Sequence, residues 1–217
     1  MVQTFDCGDA AARTSGIASA VSALKSGRLV VLPTDTVYGI GADAFNSDAV
    51  AALLAAKGRG RNMPVPVLVG SWKTIDGLVY SVPPAARVLI EAFWPGALSL
   101  VVRQAPSLSW DLGDANGTVM LRMPLHPVAI ELLREVGPMA VSSANMSGQP
   151  AAVTADDARA QLGQLVDVYL DAGPSARQAA STIVDLTGPV PKVLRQGPIT
   201  AQAIADVLGI EAESLVA

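Results

Sequence analysis

Cysteine is nearly absent from this chain. Cys7 stands alone, which excludes an internal disulfide and a cysteine-cluster metal site. Histidine is equally scarce: His126 has no second imidazole with which to share a metal, and its place before Pro127 suits a cap or turn residue better than a catalytic base. Aromatics make up only 4%, too few for base-stacking platforms. No apolar run approaches the roughly 18 residues of a membrane span, and the opening MVQTFDCGDAAARTSG lacks the basic-then-apolar order of a secretory leader. A cytoplasmic protein is expected. Positive charge is short too: 15 basic residues against 19 acidic give a net charge of -4, which argues against nonspecific nucleic-acid binding.

What the chain has is apolar character, 51% of its 217 residues, enough for a substantial core. Short apolar runs such as RLVVLP, ALSLVVRQ, GTVMLRMP and PMAVSSAN read as strands. Between them lie helical stretches with start and stop signals: Asp9 and Gly27 bound one, Asn46 or Ser47 and Gly58 another. VPVLVG, VDVYLDAG, STIVDLTG and PKVLRQG add extended segments. Several strands follow one another with no helix between, so an α/β fold with a twisted mixed sheet flanked by helices is expected, as one domain over 1–217.

The candidate chemistry begins with KGRGR, where Lys57, Arg59 and Arg61 alternate with glycines and no carboxylate lies nearer in sequence than Asp48 or Asp76. Lys57 at a helix C-terminus complements the helix dipole, which is the plain alternative. Guanidinium forks beside glycines suit phosphate or carboxylate oxygens, although no P-loop is present. PTDTVYGIG places Thr34 and Thr36 after a strand, where hydroxyls hold a polar ligand or simply form a turn. AVSSANMSGQP, with Ser142, Ser143, Asn145 and Ser147, offers a ligand site or local backbone satisfaction. Arg103, Arg122 and Arg195 end strand-like runs, where an arginine is seldom fully buried without an anionic partner from a ligand or from the protein. Neither a Ser-His-Asp order nor a carboxylate pair can be singled out. Cations and hydroxyls without a nucleophile suit nucleotidyl transfer by positioning and charge stabilisation.

LPTDTVYGIGADA, the Lys-x-Arg of AKGRG, FWPGALSLVV, GTVMLRMPLHP, PMAVSSANMSGQPA, STIVDLTG and VLRQGPI, in this order over residues 32–199, resemble the YrdC/Sua5 family of threonylcarbamoyl-AMP synthases. The resemblance implies a YrdC-like fold with a basic concave cleft and a motif core of about 14–199. It also implies the reaction of ATP, L-threonine and bicarbonate to give threonylcarbamoyl-AMP and pyrophosphate. Mg2+ accompanies ATP, no tightly bound organic cofactor is involved, and the product passes to a transferase complex that modifies adenosine 37 of tRNA. By the same resemblance Lys57, Arg59, Met63, Thr118, Ser143, Ala151 and Arg195 face ATP, while Thr34, Thr36, Leu68, Arg122, Val141 and Ser181 face threonine. Arg61 and Asn145 are additional cleft residues. Met63 stands where many members have asparagine, and Leu68 where some have histidine. The chain stops 18 residues after Ile199, which implies the short form without the added C-terminal domain. The alternatives are a non-catalytic RNA-binding module and a paralogue that adenylates a different carbamoyl-type acceptor.

Overall fold

The computed structural model describes residues 2–215. Strands β1 (Gln3–Asp6), β2 (Val30–Leu32), β3 (Gly39–Asp43), β4 (Val67–Leu68), β5 (Leu98–Arg103), β6 (Thr118–Arg122), β7 (Met139–Ser143), β8 (Val168–Asp171), β9 (Thr182–Asp185) and β10 (Lys192–Arg195) form one sheet. Its order is β1-β8-β2-β3-β7-β4-β6-β5-β9-β10, with parallel and antiparallel neighbours mixed as expected. Helices α1 (Ala10–Lys25), α2 (Ser47–Lys57), α3 (Pro84–Phe93), α4 (Pro127–Val136), α5 (Ala155–Leu162) and α6 (Ala201–Leu208) flank it.

The period-2 alternation of the strands divides the core between the two faces. Val30 and Leu32 of β2, Leu68 of β4, Met139 and Val141 of β7, and Val168 and Leu170 of β8 pack with α1 and α4 through Ile17, Leu24, Leu132 and Leu133. Their neighbours Val31, Val67, Ala140 and Tyr169 point the other way, into a larger cluster with Leu53 of α2, Leu89 of α3, Leu162 of α5 and Ile204 of α6. That second cluster also takes Leu98, Leu100 and Val102 of β5, Val119 and Leu121 of β6, and Val184 of β9. The alternate residues of these last strands, Ser99, Met120, Arg122 and Ile183, share the face of α1 and α4 and line a cavity there. Two helices pack one end of a ten-strand face, and polar strand residues occupy the remainder.

Sequence expectation and structure differ at several elements, three of them as follows. VPVLVG contributes only Val67–Leu68 as a strand, because Pro64 and Pro66 bring no N–H to a ladder. The strand β1 has no readable pattern: as an edge strand it is mostly exposed, with parallel pairing to β8. The segment Trp72–Gly77 forms a 3-10 helix, not assigned from the sequence. The helix start signals act as caps, with Asp9 Oδ1 accepting from Ala12 N at 2.7 Å and Asn46 Oδ1 from Ala49 N at 3.0 Å.

Candidate active site

The cavity takes its floor from strands and its rim from loops. β2 leads into the 33–38 loop, whose extended alternation turns Thr34 and Thr36 into the cavity while Asp35 turns behind. Thr34 Oγ1 donates to Val37 O at 2.6 Å, so the 2.9 Å contact between the two hydroxyls is a donation from Thr36 to Thr34. Arg122 Nη1 donates to Thr36 Oγ1 at 2.8 Å, leaving a chain of fixed direction: guanidinium, Thr36, Thr34, backbone carbonyl. Arg122, only 6% exposed, also donates Nε to Gly96 O at 2.8 Å and Nη2 to Asp35 Oδ1 at 2.5 Å. Burial disfavours its charged form, and the Asp35 carboxylate works against that effect.

On the other side, Gly58 ends α2 in the left-handed region at φ 60°, where a side chain would be strained, and turns the chain into the basic loop. Arg59 is then spread over neutral acceptors: Met63 O at 2.8 Å, Pro64 O at 3.1 Å and Ser142 Oγ at 3.1 Å. Arg195 donates through Nε and Nη2 to Ser181 O and through Nη2 to Ser181 Oγ at 3.1 Å, and Ser181 Oγ lies 2.8 Å from Ser99 Oγ. A bulge in β10 sets Arg195 rather than Leu194 opposite Ile183, and so on the cavity face. Among the described residues neither Arg59 nor Arg195 has a carboxylate partner. Burial lowers the pKa of both, with Arg195 adding to the effect on Arg59.

Of the residues chosen from sequence, Thr34, Thr36, Arg59, Leu68, Arg122, Val141, Ser143, Ala151, Ser181 and Arg195 line this one cavity. Lys57 does not: it is 3% exposed, and its Nζ donates to Ser143 O at 2.5 Å and Asn145 O at 2.6 Å, behind the cavity wall. Burial and the adjacent Arg59 lower its pKa to about 8. Asn145 is likewise turned into its own loop, donating to Met146 O and Gln149 O. Thr118 lines a neighbouring apolar cavity that shares Met120 with the first, while Met63 is exposed on the basic loop.

Arg61 is held outside the lining, where Asp111 takes both its terminal nitrogens, at 3.0 and 2.9 Å, and Asp114 stands 3.4 Å from Nε. These acids are distant in sequence, which is why the loop looks unpaired there. Arg103 is exposed at the end of β5. His126 occupies the N-cap position of α4 without capping through its side chain, and burial pushes the Cys7 thiol up to about 11. Lining residues that sequence reasoning passes over are apolar or small: Val37, Pro66, Met120, Ile183, and also Ser99, whose inward turn is readable only as a polar position within β5.

A family model, Sua5/YciO/YrdC, described as "Telomere recombination", matches residues 22–197. A Mycobacterium tuberculosis (strain ATCC 25618 / H37Rv) protein that carries the provisional name threonylcarbamoyl-AMP synthase is 74% identical over 215 residues, 99% of each chain. The threonylcarbamoyl-AMP synthase of Bacillus subtilis (strain 168) is 38% identical over 195 residues, 89% of this chain and 56% of the relative. Among solved structures, P. abyssi Sua5 with two substitutions superposes with a TM-score of 0.93 at 30% identity over 100% of this chain and 62% of that one. The same P. abyssi protein in complex with L-threonine gives 0.89 at 30% identity, over 96% and 61%. With a family model spanning most of the chain and relatives matched along nearly all of it, this protein belongs to the Sua5/YciO/YrdC family.

Proposed function

We propose that the protein is an L-threonylcarbamoyladenylate synthase, a nucleotidyltransferase that joins ATP, L-threonine and bicarbonate and releases pyrophosphate. The observation that carries this reading is the division of charge within one cavity. Arg59 and Arg195 lack carboxylate partners among the described residues, whereas Arg122, in the same cavity and bonded to the Thr36 hydroxyl, is paired with Asp35. The first pair suits a triphosphate, and the second suits an amino acid. The names of the relatives and the threonine bound by P. abyssi Sua5 support the same reaction.

In this reading the threonine carboxylate meets Arg122, with Thr34, Thr36 and Ser181 around the rest of the molecule, and Leu68 and Val141 as wall. Arg59, Arg195 and Ser143 meet the phosphates. Lys57 braces the Ser143–Asn145 carbonyls and contributes charge from behind. Ala151 borders the nucleotide, and the apolar cavity beside Met120, reached by Thr118 and the Met63 loop, receives its base. Bicarbonate takes up a proton and loses water to give CO2, the free threonine amine adds to it and releases a proton to give a carbamate, and one carbamate oxygen attacks the α-phosphorus as the bond to pyrophosphate breaks. Every step uses groups of the substrates, so the protein's part is orientation and stabilisation of negative charge. Mg2+, which the reaction would use to offset phosphate charge, would enter with ATP. The single continuous sheet supports reading 1–217 as one unit, and the product would serve a separate tRNA-modifying transferase in the cytoplasm.

Pyrophosphate release is the test, measured with ATP, Mg2+ and bicarbonate, with and without L-threonine. Release that requires both threonine and bicarbonate is expected. Release driven by another acceptor, from protein that binds ATP, would assign the chain to a different reaction on this fold.

A further inference from the structure

Asp35 lies between two cavity-lining threonines yet does not itself line the cavity. It is 5% exposed and forms, with Arg122, an ion pair whose side chains are 6% and 8% exposed. Each of the other ion pairs among the described residues has both partners at least 29% exposed. Asp35 Oδ1 accepts from Arg122 Nη2 at 2.5 Å and from Leu125 N at 2.9 Å, tying the guanidinium to the segment that opens α4. Its Oδ2 is buried without a partner, as is Nδ1 of the nearby His126. An orphaned carboxylate oxygen is costly to bury, and here that cost is set against the charge of the equally buried Arg122 guanidinium.

Each nitrogen of Arg122 has one anchor: Nε on Gly96 O, Nη1 on Thr36 Oγ1, Nη2 on Asp35 Oδ1. A guanidinium has five N–H groups, so these three bonds leave one donor unused on each terminal nitrogen. Asp35 is the only anionic anchor of the three. It keeps the buried guanidinium charged and fixes the plane of its fork. It also offsets the charge of Arg122, leaving Arg59 and Arg195 as the lining cations without a carboxylate partner among the described residues.

We propose that Asp35 is a positioning residue for recognition of the amino-acid carboxylate, acting through Arg122 without touching the substrate. This rests on the threonine pocket of the proposed function. The experiment titrates L-threonine and L-threoninamide, which lacks the carboxylate, into the wild type, D35A and D35N, with ATP binding measured on each. The expected result for D35A is a loss of L-threonine affinity of at least about tenfold. Affinities for L-threoninamide and ATP should stay within about twofold, a difference too small to mark a lost charge-assisted contact. In steady state the threonine KM should rise more than kcat falls. D35N, which keeps an acceptor oxygen but not the charge, should fall between the two. Equal losses for threonine and threoninamide would reduce Asp35 to holding the pocket's shape and overturn the proposal, as would unchanged threonine affinity. If D35A does not fold, the same ligand comparison on D35N decides. A wild type that binds no threonine would overturn the proposed function as well, whereas intact wild-type binding with an indifferent D35A overturns only this inference.

Discussion

Arg59 and Lys57 are two residues apart, and the structure gives them different work. Arg59 reaches the cavity with neutral acceptors only, so a nucleotide gains a fully available charge there. Arg59→Ala should abolish threonine-dependent pyrophosphate release while leaving the circular dichroism spectrum and unfolding transition near wild type, since its present hydrogen bonds are replaceable by water. Lys57 is buried and titrates near 8, so its charge is present below that pH and lost above it. ATP affinity should therefore fall as pH rises through about 8, and Lys57→Gln should remove that inflection from a titration-calorimetry profile. Stability carries the opposite sign: between about 8 and the ordinary lysine value the unfolded chain holds a proton that the fold has released, so this group makes stability rise with pH over that window.

Among the helices and strands, two glycines act near the cavity for different reasons. Gly58 holds φ 60° at the end of α2, with no heavy atom within 4 Å of the point a Cβ would occupy, so backbone strain alone opposes substitution. Gly58→Val should cost on the order of 1–2 kcal/mol in urea unfolding and raise the KM for ATP by displacing the basic loop. Gly41 of β3 is tight instead: a Cβ there would stand 2.6 Å from Met139 Cε and 3.3 Å from Val141 Cγ2. Gly41→Val should cost about 1–3 kcal/mol by overpacking and disturb the wall formed by Val141, which the same unfolding curves would register. Helices are legible in the sequence because their signals are local: an Asn or Asp side chain caps the start and a glycine closes the end. The strand β1 and the bulge of β10 are not, because each is defined by a partner strand rather than by its own residues.

For the molecule as a whole, the proposed ligands would bridge β3, β7 and the 33–38 loop on one side to β9 and β10 on the other. Binding to the native state alone stabilises it by mass action. ATP at about 100 times its Kd should raise Tm by roughly 5–10 °C for a chain of this size. The shift should vanish in folded Arg59→Ala, and differential scanning calorimetry on both proteins checks it. No helix among the described residues is long and apolar enough to cross a membrane, in keeping with the short apolar runs of the sequence.

The mixed α/β class, the main helix boundaries, the family and most of the cavity-lining residues are written in the linear sequence, because strand alternation, caps and contiguous motifs are encoded within a few neighbouring positions. Which cations are free is not. Lys57, Arg59 and Arg61 look equivalent in KGRGR, yet one is clamped by the carbonyls of Ser143 and Asn145, one faces the cavity, and one is neutralised by Asp111 and Asp114. Those partners all lie far along the chain. Charge acts through space rather than along the backbone, so only the folded sheet assigns each cation its partner.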